Sequence, residues 1–227
     1  MTAIATRLQA VHNRIAKAAL AAGRDPHTVQ LLAVSKTWPT QNLRDAYAAG
    51  QRMFGESYVQ EALEKIGLLR GLPLEWHFIG PLQSNKTRAI AEHFDWVHSV
   101  ERLKIAERLS AQRPTHLPPL QICLQINVSG EASKSGATPQ EAPALAEVIR
   151  RLPNLRLRGL MAIPQPTADV ALQRRQFKML RELLEALNER GMALDTLSMG
   201  MSHDLEAAIA EGATMVRVGT AIFGERH

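Results

Sequence analysis

LDTLSMGMSHDLEAAIAEGATMVRVGT, residues 194–220, reads as a strand, a turn, a helix and a second strand. LDTLSMG (194–200) and ATMVRVG (213–219) are the strand-like runs, and LEAAIAEG between them stops at Gly212, a residue that ends helices. Strands joined through a helix lie parallel, because parallel neighbours need a crossover connection. The same alternation runs through the rest of the chain. LLAVSK (31–36), RMFGES (52–57), EWHFIG (75–80), DWVHSV (95–100), LQICLQINV (120–128) and LRLRGLMAI (155–163) are strand-like, with helical patterns between them. Helical patterns also stop at Gly50 and Gly191, and one is expected to open at Thr138-Pro139-Gln140-Glu141, with Thr138 as N-cap, Pro139 at N1 and Glu141 at N3. Eight strands is the number that closes a barrel. The reading is α/β: a single (β/α)8 barrel over 1–227, with an extra helix at about 3–22 packed outside it or across its bottom. An open doubly wound sheet is the alternative, but the first strand is not followed by G-x-G-x-x-G.

Composition narrows the function. The chain has 227 residues, 45% of them apolar, enough for a substantial core. Its single Cys excludes a disulfide framework within the chain and any cysteine-based zinc site; Cys123, inside LQICLQINV, reads as a buried small hydrophobe. No run approaches the roughly 18 apolar residues of a membrane span, and the N-terminus lacks a secretory h-region, so no membrane association and a cytoplasmic location are expected. The net charge of +5 is spread along the chain without a nucleic-acid-binding signature, so nucleic acid is not an expected partner; a small anionic ligand suits the balance.

In this fold the working face lies at the C-terminal ends of the strands. The first run ends in Lys36, after four apolar residues; a lysine at the tip of a buried strand, desolvated towards its neutral amine, suits Schiff-base chemistry. After the seventh strand, Gly200 permits a tight turn, Met201 follows it, and Ser202 is placed to cap the next helix, whose free N–H groups face an anion. After the eighth come Arg217, Gly219, which permits close backbone approach, and the hydroxyl of Thr220. The loops after strands seven and eight are the usual phosphate site of this fold, and closure sets strand eight beside strand one. A Schiff-base lysine beside a phosphate cradle describes a pyridoxal 5′-phosphate (PLP) site. Arg217 is the candidate partner for the ring nitrogen; an arginine keeps its proton, which weakens the cofactor as an electron sink.

Other residues near the strand ends have two readings. His77 is a hydrogen-bonded core histidine or a neighbour of the cofactor. Met161 packs on the cofactor ring or lines the core. Gln83 and Asn85 donate to a ligand, or Asn85 caps a helix. Lys134 is a solvated loop lysine or, near the mouth, an anion contact, and Lys86 is a second candidate for such a contact. No G-x-S-x-G, H-E-x-x-H or P-loop is present, and the eight histidines show no metal-ligand spacing.

LLAVSKT, FGESYVQEA, EWHFIGPLQSNK, the SKSG loop, LRGLMAI and LSMGMSHDLEAAIAEGATMVRVGTAIFGER together resemble, in order and over essentially the whole chain, the YggS/PROSC family of PLP homeostasis proteins. The resemblance implies a barrel like the N-terminal domain of alanine racemase, PLP on Lys36, phosphate contacts from Ser202, Gly219 and Thr220, and Arg217 near the pyridine nitrogen. It implies buffering or delivery of PLP, with no established catalytic activity, and apo PLP-dependent enzymes as transient partners; a monomer is expected on the separate ground that a barrel this small needs no partner to bury its core. One departure is Ser57, in FGES, where the family usually has Asn; a shorter hydroxyl there puts that contact in doubt. The competing readings are a PLP-dependent amino-acid racemase and an aldolase-like barrel using the same two anchors for sugar phosphates. A racemase needs an acid/base on each face of the substrate, and beyond Lys36 only Tyr58 and His203 offer themselves. It also brings a second domain, for which nothing is expected to remain after the last strand.

Overall fold

The computed structural model describes residues 2–131 and 135–225; Lys134, considered above as a secondary anion contact, lies outside them. Eight parallel strands close into a barrel in sequence order. They are β1 (Gln30–Val34), β2 (Met53–Glu56), β3 (Glu75–Phe78), β4 (Trp96–Val100), β5 (Leu120–Gln125), β6 (Leu155–Met161), β7 (Thr196–Ser198) and β8 (Met215–Val218). Closure is made by β8 on β1, from Gln30 opposite Met215 to Ala33 opposite Val218. The helices between the strands are α2 (Thr40–Ala48), α3 (Val59–Leu68), α4 (Thr87–His93), α5 (Leu103–Gln112), α6 (Ala142–Ile149), α7 (Val170–Glu189) and α8 (Leu205–Ala210), with a short α9 (Thr220–Phe223) after β8.

Every strand expected from sequence is present, each shorter than its apolar run. The ladders stop where the chain turns over the mouth, and the extra residues, among them Ser35, Lys36, Ser57 and Gly200, form the rim. Arg217 is corrected in the other direction: it lies within β8 rather than after it. α6 begins at Ala142, not at Thr138. The expected capping box is nevertheless made: the Glu141 carboxylate accepts from the Thr138 N–H at 2.9 Å, and Thr138 Oγ1 accepts from the Glu141 N–H at 3.2 Å. Residues 139–141 form a turn ahead of the regular helix.

The extra helix α1 (Ala3–Ala21) lies outside the ring, packed on α2, α8 and α9, over the seam where β8 meets β1. Ile4, Leu8, Val11, Ile15 and Ala19 recur at helical spacing and are all buried. Thr2 caps it, accepting from the Ala5 N–H at 3.2 Å. The main apolar core fills the space between barrel and helices; Trp96, Cys123 and Met161 form a separate cluster. Burial pushes the Cys123 thiol up to about 12, so it stays protonated and unreactive at neutral pH.

Candidate functional site

At the C-terminal mouth, Val34, Lys36, Ser57, Ile79, Ile163, Met201, Ser202, His203, Arg217, Gly219 and Thr220 line a cleft of about 230 Å³. Seven of the residues expected from sequence therefore meet there: Lys36, Ser57, Met201, Ser202, Arg217, Gly219 and Thr220. Two larger hollows of about 450 Å³ each open beside α1, one without a lysine or arginine and one lined by Arg14 and Lys17, but neither contains Lys36 or Arg217.

Lys36 is held from behind. It sits between Ser35 and Thr37 in the turn from β1 to α2, and a buried polar cluster grips both neighbours. Ser35 Oγ donates to Glu56 Oε1 at 2.6 Å. The Lys65 ammonium, from α3, donates to the Ser35 carbonyl at 2.8 Å, to Glu56 Oε1 at 2.8 Å and to Glu61 Oε1 at 2.5 Å. Glu61 in turn accepts the Thr37 N–H at 2.5 Å. Thr37 has φ +69°, a region β-branched residues avoid at a cost of order 1–3 kcal/mol, and these contacts hold it there. Burial pushes the Glu56 carboxyl above its ordinary range, against the opposing pull of Lys65.

Arg217 forms the floor. It is 4% exposed, and Nη1 donates to the Ser198 carbonyl at 2.6 Å and to Ser198 Oγ at 2.8 Å, while Nη2 donates to the Ala162 carbonyl at 2.9 Å. All three acceptors are neutral, and the guanidinium makes no ion pair among the described residues. Desolvation pulls its pKa down to about 10, which leaves it protonated at neutral pH. A buried cation facing a cleft without a carboxylate partner favours an electron-rich ligand.

The opposite wall is backbone. Gly219 lies against Val34: a Cβ there would sit 3.1 Å from the Val34 carbonyl oxygen and 3.3 Å from its Cβ. The first N–H groups of α9, which begins at Thr220, have no partner further back in the helix. Ser202 does not cap α8, as the sequence suggested, because the turn 202–204 separates it from the helix. Asp204 is the N-cap residue instead, and its Oδ1 accepts the Met201 N–H at 2.6 Å, bracing the loop. The Ser202 carbonyl accepts from Arg14 Nη1 of α1 at 2.7 Å, and Arg14 also pairs with Glu206; Arg7 Nη1 reaches the Phe223 carbonyl at 3.3 Å. The extra N-terminal helix thus pins both edges of the proposed cradle.

Three expected residues do not line the cleft. Gly200 lies behind it at φ +95°, where its carbonyl accepts the Arg217 N–H at 2.9 Å and a Cβ would come within 2.6 Å of Ala208. Met161 is buried in the interior cluster with Trp96 and Cys123. His77 is fully buried inside the barrel, bonded to His98 and Glu75, as the core reading of it expected. Gln83, Asn85 and Lys86 also lie off the cleft; Lys86 is the N-cap residue of α4, and Asn85 caps nothing. Val34 and Ile79 were missed, although Val34 lies two residues before Lys36, the spacing that puts strand residues on one face. Ile163 ends the sixth run and gave no chemical signal.

Residues 6–227 match the family profile described as alanine racemase, N-terminal domain. A pyridoxal phosphate homeostasis protein of Pseudomonas aeruginosa is 67% identical over 226 residues, spanning 100% of this chain and 97% of its own length. One from Escherichia coli is 54% identical over 232 residues, spanning 100% and 98%. Among solved structures, PipY of Synechococcus elongatus with PLP bound matches at a TM-score of 0.85 and 40% identity, over 97% of this chain and 100% of that one. An alanine racemase from Corynebacterium glutamicum, 19% identical with a TM-score of 0.68, shares the fold over 96% of this chain and 61% of that one. Among the described residues, no helix is long and apolar enough to cross a membrane.

Proposed function

We propose, from the premise that the chain belongs to the alanine racemase N-terminal domain family and to its pyridoxal phosphate homeostasis branch, that it holds PLP covalently on Lys36. The observation that carries this reading is that Lys36 and a buried Arg217, which makes no ion pair among the described residues, line one cleft edged by Ser202, Gly219 and Thr220. The donor set fits the cofactor. When bound, PLP supplies an electrophilic carbonyl for an amine and a dianionic phosphate for the backbone edge. Lys36 Nζ is the amine. Ser202, Thr220 and the N–H groups beside Gly219 face the phosphate, and Met201 and Ser57 flank the ring. Arg217 donates towards the ring nitrogen and, keeping its own proton, leaves that nitrogen unprotonated.

The role is PLP homeostasis, and the finer reading is a carrier without turnover, a monomer that hands PLP to apo-enzymes. Arg217 disfavours the carbanion chemistry that a racemase needs. Of the two guesses for a second acid/base, Tyr58 is 54% exposed and lines no part of the cleft. His203 does line it, but its side chain is 47% exposed, 3.4 Å from Asp204. The test is borohydride reduction of the PLP-treated protein followed by peptide mapping. The pyridoxyl group is expected on Lys36 and lost in Lys36→Ala; equal labelling of surface lysines in both proteins refutes the site. Stoichiometric transfer to an apo-enzyme, without amino-acid turnover above free PLP, distinguishes carrier from racemase.

The grip of α1 on the Ser202 loop yields a milder prediction. Arg14 is a third exposed, so Arg14→Ala should lower stability by no more than about 1 kcal/mol. PLP loss from the protein, followed by absorbance during dialysis, should nevertheless accelerate severalfold.

A further inference from the structure

Beneath Arg217 a file of polar side chains runs through the barrel interior. Arg217 Nη1 donates to Ser198 Oγ at 2.8 Å; Ser198 Oγ lies 2.8 Å from His98 Nδ1; His98 Nε2 lies 2.8 Å from His77 Nδ1; and His77 Nε2 lies 2.7 Å from Glu75 Oε1. These residues come from β8, β7, β4 and β3. Ser198, His98 and His77 are wholly buried, whereas the Glu75 side chain, at the N-terminal end of β3, is 43% exposed. Trp96 stacks on His77 at 5.4 Å and 10°, and Arg158 covers the other part of that ring system at 4.8 Å from the Trp96 centroid.

The two ends dictate the direction of every bond between them. Arg217 can only donate, so Ser198 Oγ must accept there and has its own hydrogen to give to His98 Nδ1. His98 then carries its proton on Nε2 and donates to His77 Nδ1. His77 likewise carries its proton on Nε2 and donates to Glu75, which can only accept when ionised. The reverse direction would leave the Ser198 hydrogen without an acceptor in this file and require an added proton at Glu75. The charged surroundings favour the first arrangement. Hydrogen bonding from His77 holds Glu75 below the ordinary carboxylate range, and desolvation holds both imidazoles below theirs. Asp95 and Arg158 flank the lower end, and Cys123 beside Arg217 stays protonated.

We propose that this file is a one-directional hydrogen-bonded strut that sets the pose of Arg217, making Ser198, His98 and His77 positioning residues for the cofactor's ring nitrogen. The proposal rests on the PLP reading above. The guanidinium spends both Nη1 hydrogens and one Nη2 hydrogen on Ser198 and Ala162, which leaves Nε–H and one Nη2–H for a ligand. In metal sites, partners that orient a ligand from behind are worth roughly 10–100-fold in affinity, and an effect of about that order is expected here.

Two measurements test it. Two-bond ¹H–¹⁵N spectra of the PLP-free protein should show the Nε2–H tautomer at both His77 and His98, without titration from about pH 6 to 8. An Nδ1–H tautomer at either ring, or titration in that range, overturns the strut. Separately, Ser198→Ala and His98→Phe should each weaken PLP retention on Lys36 about tenfold and shift the absorption maximum of the bound cofactor. His98→Gln, which keeps one acceptor and one donor, should recover part of the loss. In an Arg217→Met background neither substitution should have a further effect; an undiminished loss there overturns the proposal even if one single variant fails to fold. Failure of the wild type to take PLP on Lys36 would refute the cofactor reading, while the tautomer measurement would still decide whether the strut exists.

Discussion

Lys65→Met is expected to destabilise the protein by about 3–5 kcal/mol, the usual consequence of stranding a buried charge. The Lys65 side chain is 6% exposed and that of Glu56 is 0% exposed. Without the ammonium, Glu56 keeps only the Ser35 hydroxyl at 2.6 Å, and the Ser35 carbonyl keeps only the Trp38 N–H at 3.1 Å. The penalty depends on pH, with a definite sign. The Glu56 carboxyl already lies above its ordinary value in the folded protein, and loss of Lys65 raises it further. The native state then binds more protons than the unfolded chain, so the variant is best placed below the ordinary value of 4.5 and loses stability as pH rises through the raised folded value. Urea denaturation at pH 5 and pH 7.5 should show a wider gap from wild type at the higher pH. A gap independent of pH would assign the loss to packing instead. Because Ser35 and Thr37 flank Lys36, the variant should also hold PLP less well at temperatures where it remains folded.

Gly159→Ala should be costlier still, above about 4 kcal/mol, with little folded protein recovered. Gly159 is in β6 opposite Thr196 of β7. A Cβ at 159 would overlap the Thr196 carbonyl oxygen and lie 2.6 Å from its carbon and 2.9 Å from its Cα. These are backbone atoms, which no rotamer change can move aside, so relief requires β6 and β7 to separate. Since β7 carries Ser198, whose carbonyl and hydroxyl hold Arg217, any folded remainder should bind PLP poorly. Circular dichroism and thermal melts of the variant decide it. A melting temperature within a few degrees of wild type would show that the seam can widen at low cost.

The barrel was legible because eight apolar runs recur between amphipathic ones, and because Gly50, Gly191 and Gly212, all with positive φ, mark helix ends. Strand ends were not legible: residues at the rim continue the apolar pattern after the ladder stops. Of the site, Lys36, Gly219 and Thr220 were readable from chain order, since strand ends in this fold converge on one mouth. The strut was not readable, although His77 and His98 are both inward residues of adjacent strands. Their linkage to Arg217 passes through Ser198, a hundred residues from His98 in sequence, and nothing local to any of them announces the bond. The cluster of Glu56, Glu61 and Lys65 was hidden for a different reason. On helix α3 the latter two look like an ordinary surface i, i+4 pair, and only the closeness of β1 makes Lys65 a buried residue.

The barrel closes by setting its last strand against its first. For a nascent chain this has a temporal meaning. Lys36 emerges from the ribosome about 180 residues ahead of Arg217, Gly219 and Thr220. At about 5–20 residues per second, the lysine waits on the order of ten seconds or more for the rest of its pocket. If Lys36 holds the cofactor as proposed, a half-made chain offers only a solvated lysine, without the residues proposed to face the ring and the phosphate. On the proposed reading, the capacity to hold the vitamin therefore appears only once β8 has been made and has closed on β1.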